Sequence, residues 1–155
     1  MIKTKTTTNF SFQKLNRELD SILEKHIFKL SDNLADMAKE KIKSGSVKPK
    51  ITNPITKKSR KRRGTGLTPL YDSRALHNSI KPTKKGSDGE PGVDILEYGL
   101  KHEKGFIHKS GTKVKARRFL FTASANLPPK LKKKYKALEK SFYLAINKSL
   151  SKYRG

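Results

Sequence analysis

The chain has 155 residues, enough for one domain, yet only 33% of them are hydrophobic and the mean hydropathy is −0.77, so any core is thin. Thirty-seven Lys and Arg against 13 Asp and Glu give a formal net charge of +24, which repels itself unless counterions, nucleic acid or an acidic protein surface neutralise it. The absence of cysteine excludes disulfides and thiolate metal sites, no apolar run reaches the roughly 18 residues a bilayer span needs, and the polar start MIKTKTTTNFSF is not a secretory signal.

Residues 1–10 read as a flexible arm, and residues 11–155 as a single α+β domain. From Ser11, a plausible N-cap, Phe12, Leu15, Leu19, Ile22, Leu23, Ile27, Leu30, Leu34, Met37, Ala38 and Ile42 recur at steps of three and four and predict one long amphipathic helix. Gly45 ends it, with Lys41 and Lys43 in the last turn suiting the helix dipole. Six acids and seven bases lie between Ser11 and Ser44, so this helix holds almost half of the acids. Its apolar stripe exceeds what a small domain can cover, which points to a neighbouring subunit.

Residues 46–67 change character. Pro49, Pro54, Gly64 and Gly66 interrupt regular structure, and six of the seven residues from Lys57 to Arg63 are basic. The segment is expected to be a long basic loop, ordered only against a partner. A short helix follows over Tyr71–Ile80, capped by Asp72 or Ser73, with Leu76 and Ile80 inward. Val93–Tyr98 is a strand candidate, residues 99–113 read as irregular, and Lys113–Phe121 is a second strand pairing with the first. Phe119, Leu120 and Phe121 are then core anchors, with Phe119 and Phe121 on one strand face. Asn126 and the following prolines open a last helix whose apolar face runs Leu131, Tyr135, Leu138, Phe142, Ile146, Leu150 and Tyr153. The expected architecture is α+β: a long N-terminal helix and a C-terminal helix packed on a small antiparallel sheet, with the basic loop outside.

Little in the chain resembles catalytic chemistry. A His102/Glu103/His108 metal set can be drawn but has no recognised ligand spacing. His26 fits the edge of the apolar stripe, and His77-Asn78 lacks the rest of an HNH nuclease. There is no nucleophile elbow and no P-loop. No catalytic residue, metal or cofactor is assigned. The basic clusters carry the clearer message. Lys57, Lys58, Arg60, Lys61, Arg62 and Arg63 form one, and Lys130, Lys132, Lys133 and Lys134, with Lys136, form another. Both suit salt-dependent contact with phosphate backbone or an acidic protein, and the lack of interleaved aromatics disfavours base stacking. Lysine far outnumbers arginine, which AT-rich coding also produces without any binding role.

Asp72-Ser73-Arg74-Ala75-Leu76-His77-Asn78-Ser79-Ile80 resembles the "TGxLxxSI"-like motif of tailed-phage tail-completion and neck proteins, the group of lambdoid minor tail components and Mu-type virion morphogenesis proteins. Lys115-Ala116-Arg117-Arg118-Phe119-Leu120 resembles their "ARPFL" signature, and Glu97-Tyr98-Gly99 or Glu103-Lys104-Gly105 can fill their "EfG" element. Ser73 stands where Gly is usual, and Arg118 where Pro is usual. The resemblance implies a non-enzymatic virion protein at the head–tail junction, assembled in the host cytoplasm. It implies a six- or twelve-fold homo-oligomeric ring between head-stopper or connector proteins and tail-terminator or tail-tube proteins, lining or sealing the channel for packaged double-stranded DNA. No membrane partner is expected. The alternative from composition alone is a free basic nucleic-acid-binding protein.

Overall fold

The computed structural model describes residues 11–83, 91–120 and 129–152; of Lys130 and Leu131 it describes only the helical backbone. Helix α1 spans Phe12–Lys43, about 48 Å at 1.5 Å per residue. Ser11 caps it, its hydroxyl accepting from the Lys14 N–H at 3.4 Å. At the other end Gly45 takes a left-handed φ of +69°, the conformation that closes a helix at little steric cost in glycine.

The basic segment is not a loop throughout, which corrects the expectation from its prolines. Helix α2 covers Pro54–Arg62. The Asn53 side chain caps it by accepting from the N–H groups of Ile55 (2.9 Å) and Thr56 (3.2 Å). Pro54 therefore sits in the first turn, where its missing N–H costs nothing, and starts a helix instead of preventing one. Helix α3 is shorter than expected, Ala75–Ser79. Its N-cap position is Arg74 in left-handed conformation, φ +59°. The Ser73 hydroxyl accepts from the Ala75 N–H at 3.4 Å, while Asp72 is engaged elsewhere.

Two small antiparallel pairs replace the single expected sheet. Strands β1 (Lys81–Pro82) and β2 (Val93–Asp94) pair Lys81 with Asp94 and Pro82 with Val93. Strands β3 (Phe106–Ile107) and β4 (Lys113–Val114) form a hairpin pairing Phe106 with Val114 and Ile107 with Lys113. The anticipated strand at 93–98 stops at Asp94, because residues Glu97–Lys104 form helix α4. Residues 115–120 carry no strand ladder either; their backbone is bound by α4, as described below.

Helix α5, Pro129–Ser151, lies antiparallel along α1. Three cross-contacts set that direction: Lys134 Nζ to Asn33 Oδ1, His26 Nε2 with the Ser141 hydroxyl, and the Lys152–Glu18 ion pair. His26 lies within this seam, its ring 5.0 Å from that of Phe142. The C-terminal half of α1 instead faces the core, through Leu34, Ala35, Ala38 and Ile42. Ala35 and Ala38 have short side chains, so the rest of the core comes close to the helix axis. Ser31 fastens β2 to α1: its hydroxyl donates to the Ile27 carbonyl (3.1 Å) and accepts the Gly92 N–H (3.0 Å). The fully buried cluster is Ala35, Ala38, Ile42, Val47, Leu76, Ile80 and Phe119. Leu76, Ile80 and Phe119 are thus core as expected, and Leu120 packs against them. Phe121 lies outside the described residues, as do the arm and Asn126.

Candidate functional site

The three segments that carry the family resemblance fold against one another. Gly99 of α4 is buried, and a side chain there would begin 2.5 Å from Leu76 Cδ1 and 3.7 Å from Phe119 Cζ. Leu76 of α3 and Phe119 therefore lie directly against the α4 backbone. The Glu103 carboxylate accepts two consecutive N–H groups, from Phe119 at 2.7 Å and Leu120 at 3.1 Å. These are charge-assisted bonds of the stronger kind. The Arg117 N–H donates to the His102 carbonyl at 2.7 Å. Its guanidinium donates to the Pro49 carbonyl (3.4 Å) and to His102 Nδ1 (3.3 Å). Since arginine only donates, His102 accepts through Nδ1 and is neutral. Burial, then the Arg117 charge, lowers its pKa in the same sense.

These bonds dissolve the His102/Glu103/His108 set. Glu103 holds backbone, His102 meets Arg117, and His108 Nδ1 lies 2.9 Å from the Ser110 hydroxyl. Among the described residues no group of three His, Asp or Glu is placed to hold a metal ion. Nor is any described helix long and apolar enough to cross a membrane.

The first basic cluster is split by the helix that carries it. Lys57, Lys58, Lys61 and Arg62 are exposed on α2. With Gly64, Gly66 and Leu67, the three lysines line a recess of about 470 Å³. Arg60 does not belong to that face, a correction to its assignment as a contact residue. It is only 5% exposed. Its guanidinium donates to the Thr68 carbonyl at 2.7 Å and lies 3.6 Å from the Asp72 carboxylate. A buried cation requires such partners, and Arg60 ties α2 to the chain entering α3. Arg63, half exposed, also reaches Asp72, at 2.9 Å. In the second cluster Lys132, Lys133 and Lys134 are exposed on α5, Lys134 leaning toward Asn33 of α1. The Lys130 side chain is not among those described. Among the described residues no hydrogen bond or ion pair joins the two clusters.

Asp72, the first acid after the basic run, is the residue whose role sequence reasoning missed. Its isolation among cations was the available signal. Its carboxyl is held below the usual range, first by the Thr65 hydroxyl and then by the Arg60 and Arg63 charges, against the opposing effect of burial. That hydroxyl has one hydrogen and two acceptors to choose from. The hydroxyl also lies 3.5 Å from the Arg60 carbonyl, so its single hydrogen is shared between that carbonyl and the Asp72 carboxylate.

A depressed folded-state pKa stabilises the fold above the unfolded value of about 4, and that contribution is lost as pH falls through the folded value. Asp72→Asn is therefore expected to lower the Tm at pH 7 and to flatten its decline between about pH 5 and pH 2. Parallel acid limbs for the two proteins would remove Asp72 from this network.

No protein-family model, curated protein or solved structure matches the chain.

Proposed function

We propose that this chain is a structural subunit of the phage head–tail connector, a neck or tail-completion protein that assembles into a ring joining the tail to the DNA-filled head. The observation that carries the reading is the convergence of the three motif segments. Residues 72–80, α4 and residues 115–120 are separated in sequence, yet they meet at Leu76, Gly99, Glu103 and Phe119. Motif residues that make one packed unit are expected to recur together for structural reasons, without any reaction to perform. Exposed apolar residues on the α1–α5 pair support assembly. Phe12, Leu23, Phe28, Tyr143 and Leu144 are all exposed, more than a solitary helical pair would need to leave in water. The exposed lysines of α2 and α5 suit the acidic surroundings of a DNA channel.

The test is assembly together with salt dependence. Native mass measurement of the purified full chain, alone and with connector proteins, is expected to give a closed ring. A persistent monomer that binds duplex DNA independently of sequence would favour a free nucleic-acid-binding protein instead. If α2 touches DNA, replacing Lys57, Lys58, Lys61 and Arg62 with Gln should shallow the plot of log affinity against log salt by about 0.9 for every phosphate no longer neutralised. The same slope before and after, with secondary structure retained, would move the contact to α5 or to a protein neighbour.

A further inference from the structure

The groove between α1 and α5 differs from the rest of this basic surface. It holds about 300 Å³, and Leu23, Ile27, Leu30, Leu138 and Phe142 supply its apolar walls. Its polar groups are few. The ring nitrogens of His26 are already engaged by the Ile22 carbonyl and the Ser141 hydroxyl, and the Tyr135 hydroxyl is buried. Glu139, the one acid of α5, is exposed at the lip. Asp20, also exposed, stands seven residues before Ile27 and so on the same face of α1. None of the described lining residues is a lysine or arginine, in a chain that has 37 of them. Such walls lack the converging polar groups that orient a small ligand, and acids at the lips repel a nucleic-acid backbone. What fits is an apolar side chain flanked by cations.

The chain itself carries that counterpart. On α5, Leu144 is 61% exposed and Tyr143 beside it 58%. Lys140 and Lys148, both exposed, stand four residues before and after Leu144 and flank it on one helical face. This protrusion cannot enter the groove of its own copy. Tyr135, which lines the groove, and Leu144 are nine residues apart, half a turn out of phase at about 100° per residue. Leu144 therefore lies on the side of α5 away from the groove, and only a second copy can bring the two together. Because two different patches then meet, the contact is head-to-tail, the kind that closes into a ring when the rotation allows.

We propose that Leu144 of one copy docks in the α1–α5 groove of the next, with Lys140 and Lys148 meeting Glu139 and Asp20 there. The inference rests on the ring reading above and names the surfaces that would build the ring. Tyr143 widens the apolar contact, and the lysines bring the cations that the groove itself lacks.

Native mass measurement of the full chain tests this with variants at exposed positions. Leu144→Asp removes the protrusion and leaves the groove. Leu23→Lys, at a residue 46% exposed, puts a cation in the groove and leaves the protrusion. Each alone is expected to weaken assembly by roughly ten-fold or more, as loss of a central interface residue does. Mixed together, they retain one matching contact, so a one-to-one pair is expected and nothing larger. Glu139→Lys should also weaken assembly, and adding Lys140→Glu and Lys148→Glu to the same chain should restore part of it. Circular dichroism checks that the variants are folded; should either leucine variant not fold, the charge swap decides. Rings unchanged in folded Leu144→Asp and Leu23→Lys overturn this contact and leave the ring reading standing. An unaltered chain that stays monomeric, alone and with connector proteins, overturns both. A closed twofold dimer of the unaltered chain overturns the head-to-tail geometry. Rings that persist in Leu144→Asp while binding to a connector protein or to duplex DNA is lost assign the protrusion to that partner and overturn the proposal.

Discussion

Phe119→Ala is expected to cost about 3–5 kcal/mol of stability, the usual range for deleting a buried aromatic ring. Such a loss is a large share of the margin a domain of this size has. Phe119 has no solvent exposure and sits in a cluster of seven fully buried residues. A core this small has few neighbours that can move in to fill the cavity. Its ring also faces Gly99 of α4, where a side chain would begin 3.7 Å from Phe119 Cζ, and a helix backbone does not collapse toward a void. Thermal and urea denaturation read the effect directly. A Tm within a degree or two of the parent protein would mean that the motif residue is not the keystone of the core.

Glu103→Ala is expected to cost about 2–3 kcal/mol, because it leaves two consecutive N–H groups, those of Phe119 and Leu120, without their acceptor. Glu103→Gln keeps an acceptor oxygen but loses the charge, so it should cost roughly half as much. The more telling measurement is the double-mutant cycle with Phe119→Ala. Glu103 holds the backbone that presents Phe119, so the two losses should overlap, with a coupling of about 1 kcal/mol or more. Strict additivity would show that the carboxylate and the ring act independently, and that Glu103 does not position this segment.

Much of the helical framework was legible in the chain. The steps of three and four residues from Phe12 to Ile42, with Ser11 and Gly45 at the ends, gave α1, its N-cap and its stop. Leu76, Ile80 and Phe119 were read as core from spacing and from the apolar run they stand in, and all three are fully buried. The strands were poorly legible. Two-residue pairs such as Phe106–Ile107 with Lys113–Val114 are too short to leave a period, and the apolar residues at 93–98 serve first a strand and then a helix. The proline rule misled at residue 54. Whether proline breaks or begins a helix depends on the preceding cap, and the cap here is Asn53.

The sequence by itself determined the local terms: the period and both ends of α1, the surplus of positive charge and the burial of Leu76, Ile80 and Phe119. These depend on neighbours within a few positions or on composition, so they can be read along the chain. Only the tertiary structure decided which cations face water and which are internal. Arg60 and Lys61 are adjacent and alike in composition, but a step of about 100° around α2 turns one into the Thr68–Asp72 pocket and leaves the other exposed. It likewise decided that Glu103, drawn from sequence as a metal-ligand candidate, spends its charge on the Phe119 and Leu120 amides. Such pairings join residues 16 or more positions apart or on separate elements, and they follow from how the chain folds back on itself, which no local pattern records.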